Sequence, residues 1–238
     1  MEWSLKKKKS KFYRDTNLKS SLNNEDFLVG LSVMLTLAGI ILGAAFTNPR
    51  FIGYTAFVVI TLLIGGGRIL RSSRLSWLLL YGLISGILEL WSDWIHVTRI
   101  GSLVYTDYFG FRLLASPLYM PIGWWLTVVQ FGYLALRLRE RWPAWKAVAA
   151  VTALGMSLPP WYEELAAPAK AWYYPPSAVM LSHTPLWIIF TYGGCMFSIG
   201  TMTLLNYSPG AWGRAVVGGF FTGVGFMLSG TVCFALLG

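Results

Sequence analysis

The sequence predicts an all-α protein, a polytopic bundle of about seven membrane-crossing helices with its N-terminus in the cytoplasm. Three observations carry that expectation. Of 238 residues, 55% are hydrophobic and 12% charged, about half the charged fraction of a soluble domain. The apolar residues fall in long runs, and at roughly 20 per crossing the length allows about seven crossings. The basic residues sort to one side of the alternation that those runs create.

An arm, residues 1–24, precedes a transmembrane domain of 25–238. The arm holds Lys6, Lys7, Lys8, Lys9, Lys11, Arg14 and Lys19. Such a run before a first crossing is drawn to anionic lipid headgroups, by about 1 kcal/mol per residue. Much of the net charge of +9 sits there, so the basic balance points to a membrane surface and not to nucleic acid. The apolar stretch behind the arm is too long for a signal-peptide core and no A-x-A-like site follows, so no cleaved leader is expected.

The first crossing reads over 27–46, with Asn48-Pro49-Arg50 as its turn. The second covers 51–65 and continues to Arg68. The third covers 75–97, the fourth 113–137, the fifth 145–162. The sixth follows Pro185 and stops before Asn206, and the seventh fills 215–237. This alternation puts fifteen of the 19 Lys and Arg on one side, leaving Arg50, Arg99, Arg112 and Lys170 on the other. Positive charge stays cytoplasmic, so a multi-pass protein of the cell's inner or plasma membrane is expected.

Most acids beyond the arm go the opposite way. Glu89 and Asp93 stand four apart near the outer end of the third crossing, on one helix face. A central Asp costs about 2.5–3.5 kcal/mol to insert. A carboxyl held in apolar surroundings beside a second one is expected to keep a proton at neutral pH, which a general acid needs. The bland alternative is a structural pair bonded to neighbouring helices. Glu163 and Glu164 end the fifth crossing, and adjacent helical residues point about 100° apart, so one faces the bundle and the other solvent. Two long outer loops, about 98–112 and 163–184, are aromatic. Each follows acids and precedes a proline-started helix, the mark of a weak parallel repeat.

Trp91, Trp94, Tyr105, Tyr108, Tyr119, Trp124, Trp125, Trp161 and Trp172 crowd the outer half. Many such rings form an interfacial belt, but a Trp- and Tyr-lined chamber can also shelter a carbocation, by up to about 2 kcal/mol per desolvated ring. An acid beside such rings suits protonation of a carbon–carbon double bond in a hydrophobic isoprenoid. His96 and His183 lack HxxxH or HxxE spacing and make a poor metal set. Cys195 and Cys233 lie in apolar runs and give no disulfide framework.

Two motifs carry a resemblance. The stretch ELWSDWIHVTRIGSLVYTDYFGFRLLASPLYMPIGW, from Glu89, resembles the membrane carotenoid-biosynthesis family that includes carotenoid hydratases: an acid in a span, Tyr105 and Gly110 in a loop, then Pro117, Pro121 and Trp124. EELAAPAKAWYY is similar to the Asp-x2-Ala-x5-Trp-x-Tyr order of membrane lycopene cyclases, with Glu163, Ala166, Trp172 and Tyr174 in register, Glu replacing Asp, and Glu164 one residue out. Thr98-Arg99 stands where the first family has Thr-Gly. Pro185-Leu186 before an apolar span fits both.

The resemblance implies an α-helical membrane enzyme, a hydratase or cyclase of lyase or isomerase type. It acts on a carotenoid or other long isoprenoid without a cofactor. The implied site holds Glu89, Asp93, Glu163 and Glu164 as acids, with Trp91, Trp94, Tyr105, Tyr108, Tyr119, Trp124, Trp161, Trp172 and Tyr174 around the substrate. Three other readings compete: a lipid or pigment binder, a proton-coupled transporter, and a structural subunit of a complex. A transporter lacks its usual inverted repeat here. A retinal pigment is excluded because 215–237 contains no lysine for a Schiff base.

Overall fold

The computed structural model describes residues 23–106, 111–176 and 179–238. The basic arm up to Leu22, with Asp107, Tyr108, Phe109 and Gly110 of the first aromatic loop, lies outside them. Among the described residues the chain is all-α, 78% helical, with seven long helices. They are α1 (Asn24–Ala45), α2 (Arg50–Ile69), α3 (Ser73–Trp94), α4 (Tyr119–Arg139), α5 (Ala144–Ala169), α6 (Leu186–Asn206) and α7 (Trp212–Leu237). A π-helical turn, Ile95–Ile100, extends α3. Helix starts follow local chemistry. Asn23 and Asp26 form a reciprocal capping box on α1, and the Ser72 side chain accepts the Leu75 N–H at the start of α3.

Five of the seven helices, α1, α2, α3 with its extension, α6 and α7, are long and apolar enough to cross a membrane. Helices α4 and α5 are less apolar. The first ends on Arg137 and Arg139, and the second carries Lys146, Glu163, Glu164 and three prolines. The outer surface is greasy along its length: Phe27, Met34, Val58, Leu205, Leu228 and Leu236 are all exposed. Apolar surface this continuous needs a cover of lipid or protein.

Two expected boundaries are corrected. The fourth helix starts at Tyr119, not near Leu113, because the chain first folds back as a hairpin of β2 (Arg112–Leu113) and β3 (Ser116–Pro117). The fifth runs to Ala169, seven residues past Tyr162, with Pro159, Pro160 and Pro168 inside it. Packed helices tolerate such prolines, and the Thr184 hydroxyl ties the chain before α6 to this stretch by reaching the Pro159 carbonyl at 3.5 Å.

The repeat expected from residue types is present in three dimensions. Helices α3–α4 form one unit and α5–α6 the other, each pair closely packed. Each second helix follows a hairpin, β2–β3 in one unit and β5 (Met180–Leu181) with β6 (Thr184–Pro185) in the other. The hairpins turn on Leu114 (φ 54°) and Ser182 (φ 52°), each three residues before its proline. Trp124 and Tyr192, each seven residues after that proline, meet with ring centroids 5.5 Å apart. Strand β1 (Val104–Tyr105) pairs antiparallel with β4 (Trp172–Tyr173), joining the two aromatic loops. Helix α7 packs on α3 and α6, and α1 packs on α2 and α5.

Candidate functional site

Glu89 and Asp93, one helical turn apart on α3, are 3% and 6% exposed. Asp93 Oδ2 accepts two hydrogen bonds, from the Tyr105 hydroxyl and the Ser116 hydroxyl, each at 2.6 Å. Burial, with the Asp93 carboxyl beside it, pushes the Tyr105 hydroxyl well above its ordinary pKa, so it stays a donor. The Glu89 carboxyl meets that of Asp93 and the Trp124 indole. Its Oε2 is buried without a hydrogen-bond partner. Of the two acids, Asp93 is anchored and Glu89 is the less satisfied.

Glu163 is 3% exposed on α5. Its Oε2 accepts the Trp172 indole N–H at 2.7 Å and its Oε1 the Tyr174 hydroxyl at 3.0 Å. Tyr162 stacks on Trp172 with centroids 5.4 Å apart. The acid, Trp and Tyr of the second motif therefore form one hydrogen-bonded unit.

A cavity of about 660 Å³ opens in front of these groups. Glu89, Asp93, His96, Trp124, Tyr192 and Phe226 wall its carboxyl end. The Trp124 ring lies 4.8 Å from Phe226, and His96 stacks on Trp187 at 5.1 Å. His96 Nδ1 bonds the Ser102 hydroxyl at 2.8 Å, while its Nε2 is buried without a partner. The cavity continues between α1 and α4, which barely touch. Val33 and Leu37 of α1 and Leu154 and Leu158 of α5 line it and are also exposed on the outer surface, so its side opens where lipid would lie. Its walls on α4 run from Gly123 and Trp124 through Thr127, Gln130 and Leu134 to Arg137. Thirteen residues at 1.5 Å each make that path about 20 Å long.

The expected site residues divide. Glu89, Asp93, Tyr105, Tyr119, Trp124, Trp172 and Tyr174 all line the cavity. Glu163 does not: it lies behind the wall and holds Trp172 and Tyr174 in place. Glu164 faces away on the next helical position, 42% exposed in its side chain, and pairs with His183 at 3.1 Å. Trp91 and Trp161 are 52% and 76% exposed. Each is two residues from an inward acid, Glu89 or Glu163, hence about 200° round the helix. Trp94 is turned from the cavity, with Arg99 over its ring at 4.9 Å. Tyr108 is outside the described residues.

Sequence reading missed Ser116, Tyr192, Trp187 and Gln130. The repeat held a signal for two of them, since Tyr192 and Trp187 stand at the positions of Trp124 and Tyr119 relative to their prolines. It held none for Gln130.

The model of one family, described as "Domain of unknown function (DUF6989)", matches residues 90–237. The chain belongs to the DUF6989 family. The matched span opens one residue after Glu89 and takes in Asp93, both aromatic loops and the second repeat unit, so the DUF6989 domain includes most of the cavity wall. Helices α1 and α2 precede it. No curated protein and no solved structure matches the chain.

Proposed function

We propose that this protein is an integral membrane enzyme that protonates a carbon–carbon double bond of a long isoprenoid, a carotenoid being one such substrate. All seven helices then cross the bilayer, α4 and α5 with their charges at the ends, and the N-terminus lies in the cytoplasm. The observation that carries the reading is the buried, unpartnered Glu89 Oε2 beside Asp93 on the wall of a ring-lined apolar cavity.

Two carboxyls buried side by side one helical turn apart cannot both ionise cheaply, so one of them keeps a proton. Asp93 already takes two hydroxyl bonds as acceptor, so the transferable proton sits on Glu89. It adds to one alkene carbon and leaves Glu89 a carboxylate. The other carbon becomes cationic, and the faces of Trp124, Tyr192 and Phe226 attract it. Attack by an internal alkene closes a ring and moves the cation to a new carbon; the charge, there or at the first carbon, is discharged by water, which yields an alcohol and a proton, or by loss of a neighbouring proton. In each case the released proton restores the carboxyl pair, and no electron is exchanged.

The test is to incubate membranes bearing the full chain with long acyclic terpenoids, carotenoids included, in D2O, and analyse products by mass spectrometry. Deuterium bound to carbon is expected from the wild type. Glu89→Gln should reduce it by about 10²–10⁴-fold, the usual contribution of a general acid. Full turnover in that variant would remove Glu89 from the chemistry. Substrate retention or uptake by proteoliposomes without conversion would favour a carrier instead.

A further inference from the structure

The end of the cavity away from Glu89 is not greasy. Asp26, Gln130, Tyr133 and Arg137 line it, with Thr36 between the two ends. The Gln130 amide donates to Ser32 Oγ at 3.2 Å and approaches Thr36 Oγ1 at 3.4 Å. The Tyr133 hydroxyl donates to Asp26 Oδ1 at 2.8 Å. A purely hydrocarbon occupant would desolvate these groups for nothing in return.

The charge there is already spent. Arg137 Nε lies 2.8 Å from Asp26 Oδ1 and its Nη1 contacts Glu140. Arg74 bonds Glu140 at 3.0 Å and sits 3.9 Å from Glu25. Among the described residues three acids therefore face two guanidinium groups, and the cluster has no surplus positive charge for a phosphate or diphosphate. Its donors are spent on one another, and it offers acceptors, the Gln130 amide oxygen and the hydroxyl oxygens of Thr36 and Tyr133, which recognise a neutral hydroxyl.

We infer that the occupant is an isoprenoid amphiphile with a neutral oxygen head, an alcohol whose hydroxyl donates to this cluster. The head bonds Gln130, Thr36 and Tyr133, and from there the chain has about 9–14 Å along α4, six to nine residues at 1.5 Å, to present a remote double bond at Glu89. That reach is well under the ~30 Å bilayer core, so a chain of about twenty carbons lies folded in the cavity of about 660 Å³ and not extended across the membrane. The inference rests on the reading of Glu89 as the proton donor for which double bond reacts, and on the polar end alone for which head is bound.

Binding, not turnover, tests it. The full chain carrying Glu89→Gln, purified in detergent, is titrated with geranylgeraniol, geranylgeranyl diphosphate and the saturated hydrocarbon phytane. Quenching of tryptophan fluorescence is the readout, since Trp124, Trp172 and Trp187 line the cavity. The alcohol should bind at least tenfold tighter than the other two. Gln130→Leu, or Tyr133→Phe where the first variant fails to fold, should shrink that preference severalfold. Equal binding of the hydrocarbon, tighter binding of the diphosphate, or an unchanged preference in a folded variant would overturn the inference. None of these outcomes depends on conversion, so a failure of the proposed chemistry in D2O is seen separately.

Discussion

Tyr105 and Trp172 stand directly opposite each other in the β1–β4 pair, and each donates to the buried carboxyl of its own repeat unit, Asp93 or Glu163. Two loops more than sixty residues apart in sequence thus share one short ladder that fixes both acids. Removing either donor leaves a buried carboxyl short of a bond, at about 1–3 kcal/mol. Tyr105→Phe and Trp172→Phe should each lower the unfolding midpoint in detergent. Because the ladder joins them, the double variant should depart from additivity by more than about 0.5 kcal/mol. Strict additivity would show two independent sites.

Trp91 and Trp161 are the internal controls. Both flank inward acids and both face outward. Trp91→Leu and Trp161→Leu should leave ligand-induced quenching and turnover within about twofold of wild type, since substitutions outside the packed interior usually change stability by no more than about 0.5 kcal/mol. Trp124→Leu, which strips a ring from the carboxyl end of the cavity, should cost at least tenfold in turnover. A reversed order would move the site to the other face of α3 and α5.

Helix number, order and most ends were legible because apolar runs and the Asn-Pro and Pro-Gly turns mark them directly. The Glu89–Asp93 face followed from four-residue spacing alone. The spacing could not reveal that Glu163 acts through Trp172 and Tyr174. A buried carboxyl behind a wall and one in front of it look the same in sequence, and only the antiparallel pairing of β1 with β4 sets the order of layers. The hairpin before α4 was missed for a similar reason: Leu113-Leu114-Ala115 is apolar enough to continue a helix, and the turn depends on a positive φ at Leu114. The polar end of the cavity was hidden because Gln130 and Thr36 are apart in sequence and isolated within apolar runs.

His96 shares the Glu89–Asp93 face and lines the cavity, and its buried Nε2 has no hydrogen-bond partner. In the proposed reaction it is placed to accept a proton from the cation. His96→Phe keeps a ring to stack on Trp187 while removing both nitrogens. Turnover should fall less than in Glu89→Gln, and the ratio of hydrated or cyclised product to deprotonated product should rise. An unchanged product ratio with a folded variant would limit His96 to packing.

The closeness of α3 and α4 sets the distance between Glu89 and Trp124, and Gly86 permits it. A Cβ on Gly86 would meet the Pro121 carbonyl oxygen and lie 3.0 Å from the Trp125 backbone nitrogen. Those are backbone atoms of the first turns of α4, which cannot swing aside as a flexible side chain can. Gly86→Ala should force the two helices apart and cost about 1–3 kcal/mol, the usual range for overpacking. Gly30, on α1, has nothing within 4 Å of the same added atom, so Gly30→Ala should be neutral or slightly stabilising, because alanine favours the helix by up to about 1 kcal/mol. Thermal unfolding of both variants in one detergent gives the comparison. The Gly86 variant should also lose turnover out of proportion to its stability, since Trp124 moves with α4 while Glu89 stays on α3.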